Sequence, residues 1–107
     1  MNNNIAQEIT MQSLFTGINH ILKVEGPAQI NHFTENEYGA FNKMNLVHAG
    51  FNSNRWVSQF DLEKHKLSLK DNARPVNITT LGKGETNGKK HKVLRTYKVY
   101  NEEQVNF

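Results

Sequence analysis

The 107-residue chain contains no cysteine. That excludes disulfide staples, thiolate metal sites and a cysteine nucleophile. Small secreted domains lean on disulfides, so the absence sets the expectation of a non-secreted, cytoplasmic protein. Proline occurs twice and tryptophan once. Apolar residues make up only 36% and asparagine alone contributes 15 positions, so mean hydropathy is low, at −0.69. No apolar run approaches the roughly 18 residues of a membrane span. Met1-Asn2-Asn3-Asn4 has neither the basic nor the apolar region of a signal peptide. Six Phe, three Tyr and one Trp remain as bulk for a modest core, and the length suits one domain over 1–107.

Charge is unevenly distributed along the chain. The net value is +3. Between 64 and 98, ten Lys and Arg side chains face only Asp71 and Glu85, a local excess of +8. Such asymmetry points to a polyanionic partner, of which nucleic acid is the commonest. The plain alternative is a solvated Lys-rich surface.

The pattern of the chain predicts an α+β fold: about three helices packed on a small antiparallel sheet with a basic C-terminal β-hairpin. Met11, Leu14, Phe15, Ile18, Ile21 and Leu22 recur at helical spacing and predict a helix over 5–23, ended by Gly26-Pro27. Thr34-Glu35-Asn36-Glu37 reads as a capping box for a second helix over 35–49, with Phe33 stapled to its first turn and Gly50 as its left-handed terminator. Ser58 with Asp61 predicts a short third helix over 59–66. The alternation of 76–81 and 92–100 predicts two strands. Gly82-Lys83-Gly84 and Asn87-Gly88 between them read as a flexible basic loop. Tyr38, Phe41, Leu46, Trp56, Val76, Ile78, Val93 and Val99 are the expected core.

No catalytic constellation stands out. His20, His32, His48, His65 and His91 match no zinc spacing, and no two lie four apart on one helix. Gly82-Lys83-Gly84 lacks the third glycine and following helix of a nucleotide-binding fingerprint. The carboxylates form no evident acid/base pair. The expectation is a non-enzymatic chain without metal or cofactor, which works by binding. Lys83, Lys89, Lys90, Lys92 and Arg95 are candidate phosphate contacts. Arg55-Trp56 reads either as a phosphate contact beside a base-stacking platform or, for the Trp, as a core plug. Tyr97 and Tyr100 are further rings close to the basic stretch.

An ordered set of short motifs runs from Tyr38 to the C-terminus. It comprises Tyr38-Gly39-Ala40-Phe41-Asn42, Leu46, Trp56-Val57-Ser58, Lys83-Gly84-Glu85 and Tyr97-Lys98-Val99-Tyr100-Asn101-Glu102-Glu103-Gln104. In this order the motifs resemble the N-terminal domain of ArdC-type antirestriction proteins and TraC-type plasmid primases, over about two-thirds of the chain. Ser58 stands where that family has Thr, Gly39 comes one place early, and Asp61 replaces Gln. The metallopeptidase-like domain that follows in ArdC has no counterpart here. The resemblance implies a sequence-independent single-stranded-DNA-binding domain of a phage or plasmid in an anti-defence setting. Arg55, Trp56, Lys83, Lys89, Lys90, Lys92, Arg95 and Tyr97 would form its DNA site. The alternative partner is a host defence protein, such as a nuclease, blocked by direct contact.

Overall fold

The structure, a computed structural model, describes residues 14–17, 19 and 22–107. It is α+β. Residues 14–17 and 19 are helical, whereas 22–25 are not. The rest of the helix expected over 5–23 lies outside the described residues. Two further helices follow, α1 (Ala40–His48) and α2 (Gln59–Lys64). The strands are β1 (Ile30–Asn31), β2 (Arg55–Ser58), β3 (Ser68–Leu69), β4 (Val76–Thr86), β5 (Lys89–Asn101) and β6 (Val105–Asn106). Four of them form a sheet in the order β1-β2-β5-β4, and β3 pairs with β6 in a second sheet. The main sheet is mixed, because β1 runs parallel to β2; the expectation of a purely antiparallel sheet is corrected here.

Among the described residues the two buried clusters cover opposite faces of one end of the sheet. Trp56 and Val57 are neighbours in β2, so their side chains leave on opposite faces. Both are fully buried. On the first face Trp56, Ile78 and Val99 pack against Leu46 of α1, with Tyr38, Ala49, Phe51 and Val76 around them. On the second face Val57 and Tyr100 pack against Leu62 of α2 and Val105, with Leu67, Leu69 and Ala73 alongside. The expected core named Leu46, Trp56, Ile78 and Val99 correctly, left Tyr38, Phe41, Val76 and Val93 only partly buried, and omitted the second cluster. The reason is that an apolar pair such as Trp56-Val57 reads as one core contact unless both faces are known to be covered.

The start of α1 corrects the capping box. Thr34-Glu35-Asn36-Glu37 does not open a helix. Asn31 Oδ1 accepts from the backbone N–H of Phe33 and Thr34 at 2.9 and 3.0 Å. Glu35 takes a left-handed φ of 60°. An Asn turn has captured donors that a helix would have used. Helix α1 begins five residues later, behind Gly39, whose lack of a side chain leaves the first turn uncapped from within. Asn19 supplies the cap from a distance, its Oδ1 accepting from Phe41 N–H at 2.9 Å. A Cβ on Gly39 would stand 2.9 Å from that same oxygen, so glycine is what lets the two segments meet. The C-terminal end follows expectation, with Gly50 left-handed at φ 81°. So does α2: Ser58 Oγ accepts from Asp61 N–H at 3.0 Å and donates to Asp61 Oδ2 at 2.9 Å.

Candidate nucleic-acid interface

Strands β4 and β5 pair without interruption from Val76↔Val99 to Thr86↔Lys89. The predicted loop is therefore not a loop. Gly82-Lys83-Gly84 and residues 89–92 are strand, and the connection is the two residues Asn87 and Gly88, both left-handed at φ 51° and 77°. This is the hairpin turn that Asn-Gly favours, since its twist matches that of the strands.

Strand β2 pairs with β5 only at Val99, Tyr100 and Asn101. From Lys89 to Thr96 the hairpin is thus a ribbon two strands wide, beyond both buried clusters. Lys89 lies twelve residues from Asn101, roughly 40 Å at about 3.3 Å per residue. From Val76 to Asn101 the hairpin carries Lys83, Lys89, Lys90, Lys92, Arg95 and Lys98 against Glu85 alone. All six cations are exposed. Lys83, Lys89, Lys90 and Lys98 make no ion pair among the described residues.

Register sorts these side chains by face, because directly opposed residues point the same way. Glu85↔Lys90, Lys83↔Lys92 and Asn77↔Lys98 share one face. Ile78↔Tyr97, Thr80↔Arg95, Gly82↔Val93, Gly84↔His91 and Thr86↔Lys89 share the other. On this second face the glycines leave a hollow that β5 fills. A Cβ on Gly82 would stand 2.6 Å from Arg95 Cδ and Nε, and one on Gly84 would stand 2.9 Å from Val93 Cγ1 and 3.0 Å from His91 Nε2. Arg95 therefore lies down across β4, and its Nη2 donates to Lys83 O at 2.9 Å. Beside it Tyr97 is 49% exposed.

Two candidate residues belong elsewhere. Trp56 is 0% exposed, with Nε1–H donated to Gln29 Oε1 at 2.7 Å and its ring edge-on to Phe51. It has no free face on which a base could stack; it is a core side chain. Arg55 sits at the root of the sheet, a strand's length from Lys89. Its Nη2 donates to His32 O at 3.0 Å and to Glu35 at 3.1 Å, and its Nε lies 3.9 Å from Glu102. These contacts tie the arginine to the root of the sheet. Glu102 is the hub of this group, accepting from Ser53 Oγ at 2.7 Å and meeting His32 Nδ1 at 3.0 Å. Partial burial pushes its carboxyl up. The Ser53 and His32 hydrogen bonds and the neighbouring positive charge outweigh that and hold it below the ordinary glutamate range. Burial also pushes the Tyr38 phenol up, against a hydrogen bond from Asn31.

The motif residues away from the hairpin are builders of the fold. Asn42 clips the backbone of Thr79, Gln104 clips that of Arg74, and Asn101 Nδ2 donates to Ser53 O at 2.8 Å while its Oδ1 caps Glu103 N–H. A feature that sequence reasoning missed is a chain of rings at the root: Phe107 stacked on His32 at 4.6 Å, His32 edge-on to Phe33, and Phe33 stacked on His65 at 4.1 Å. Phe107 is 64% and Phe33 37% exposed. The four rings come from three distant segments and leave no local signal.

Among the described residues no three His, Asp or Glu side chains come together as a metal cluster, and no helix is long and apolar enough to cross a membrane. Comparison with known proteins finds no matching family model, no similar curated protein and no similar solved structure.

Proposed function

We propose that the chain is a non-catalytic, sequence-independent single-stranded-DNA-binding domain whose DNA site is the arm formed by β4 and β5. The observation that carries this reading is the position of the charge. Six exposed cations against one carboxylate stand on β4 and β5, five of them beyond Ile78, the last core residue of the ribbon. Self-repulsion of that kind weakens a free hairpin and is relieved by a polyanion. Lys83, Lys89, Lys90, Lys92 and Lys98 are the phosphate contacts; neither Arg55 nor Trp56 takes part. The phage or plasmid anti-defence setting rests on the resemblance of the ordered motifs to ArdC-type and TraC-type domains. Because Asn42, Trp56, Asn101 and Gln104 build the fold, the resemblance speaks first to the scaffold.

The test is a titration of single-stranded oligonucleotide against Lys89→Ala/Lys90→Ala at several salt concentrations. For a single strand, removing one cation that touches phosphate flattens the log–log salt slope by about 0.7, so the double variant should flatten it by roughly 1.4. Its melting temperature should stay at the parent value, since both side chains are exposed at the tip. An unchanged slope removes the tip from the site.

The ring chain favours a second reading, a host defence protein as partner. Exposed aromatic side chains are enriched at protein interfaces. On that reading Phe107→Ser abolishes co-purification with one host protein and leaves DNA affinity untouched.

A further inference from the structure

We infer that the two faces of the arm divide the work: the glycine face carries the bases, stacked on Tyr97 and Arg95, while the lysine face and the tip hold phosphates. This rests on the single-strand reading above. The argument starts from side-chain size. A β-ribbon normally presents a side chain at every second position of both strands. At Gly82 and Gly84 the outer strand presents none, and the space is taken by groups lying flat from β5. Arg95 is pinned there by Lys83 O, so one of its donors is spent on the protein. A guanidinium held in this way is a poorer phosphate clamp and a better planar platform, since its face is set in advance. Tyr97 is two residues along the same face, about 6.8 Å away at 3.4 Å per residue, with half its surface open. The face therefore pairs an open ring with a fixed guanidinium, the two side-chain types on which unpaired bases stack.

Charge complements this arrangement. Lys83 and Lys92 oppose each other on the reverse face, with Lys90 and Lys98 on the same side. The ribbon is about 5 Å between strand axes. Among the described residues no third strand pairs with the ribbon from Lys89 to Lys98, and the amide of Asn42 meets the backbone of Thr79 at its edge. Four lysines thus stand behind the strip of the glycine face, and Lys89 stands at its tip on that same face. A duplex, whose bases are already stacked on one another, gains nothing from such a strip.

The experiment compares a thymidine oligonucleotide with an abasic one carrying the same number of phosphates, by fluorescence anisotropy on the full chain. The abasic strand should bind about fivefold to 150-fold more weakly, the worth of one stacked base, with the same salt slope. Arg95→Lys keeps the charge and loses the plane. It should weaken thymidine binding, leave the slope unchanged and leave the abasic strand unaffected. Equal affinity for the two strands in the parent overturns the stacking face while leaving the phosphate reading in place. Absence of salt-sensitive binding to either strand overturns both.

Discussion

Asn42 of α1 holds both backbone groups of Thr79 in β4, its Nδ2 donating to the carbonyl at 2.8 Å and its Oδ1 accepting from the N–H at 2.7 Å. The amide acts as a one-residue strand, closing the edge of the sheet at the point where the arm leaves the core. Gln104 repeats the device on Arg74, accepting from its N–H at 2.6 Å and donating to its carbonyl at 2.9 Å. The two clips fix both ends of the segment that leads into the arm, so a ribbon with no core of its own departs from a rigid root.

Each clip satisfies two backbone groups at once. Asn42→Ala and Gln104→Ala should each destabilise the fold by about 1–3 kcal/mol, the cost of leaving partly buried groups unpaired. Arg74 and Thr79 are separate attachment points, so the two effects should add to within about 0.5 kcal/mol in the double variant. Chemical denaturation of the four proteins checks this.

Trp56 is the sole tryptophan and is fully buried. Its emission should be blue-shifted and inaccessible to soluble quenchers, and saturating oligonucleotide should leave it unchanged. Quenching by DNA would restore the stacking role that the structure denies it. Trp56→Ala should cost about 3–5 kcal/mol through the cavity it leaves, and so cannot serve as a binding test.

Glu102 gives stability a pH dependence whose sign is fixed. Its carboxyl sits below the ordinary value of 4.5 in the folded state. The associated stabilisation is complete above that value and is lost as pH falls through the lowered one. The melting temperature of Glu102→Gln should therefore trail the parent by a constant amount above about pH 5.5, and the gap should close in acid. A gap that widens in acid contradicts the assignment.

The helix ends that obey local chemistry were legible in the sequence. Ser58 with Asp61, Gly50 and the Asn87-Gly88 turn are each decided by residues within four positions of one another. The start of α1 was not, because its cap comes from Asn19, twenty-two residues away, and because Asn31 diverted the Thr34 segment into a turn. Glycine misled at 82 and 84. There it makes room for side chains of β5, Arg95 at Gly82 and Val93 with His91 at Gly84, and only the register reveals that. For the site, the cations were visible as a charge excess and Tyr97 as an alternating ring. The core reading of Trp56 was legible and holds, whereas the distance of Arg55 and Trp56 from the arm was not, because adjacency in sequence says nothing of the strand's length that separates them from it.

The most direct measurement is the affinity of the parent protein for a single-stranded oligonucleotide as a function of salt. With four or five of the arm's lysines on phosphate, log K should fall against log salt with a slope of about −3 to −3.5. A slope near zero, or no binding at low salt, would contradict the account.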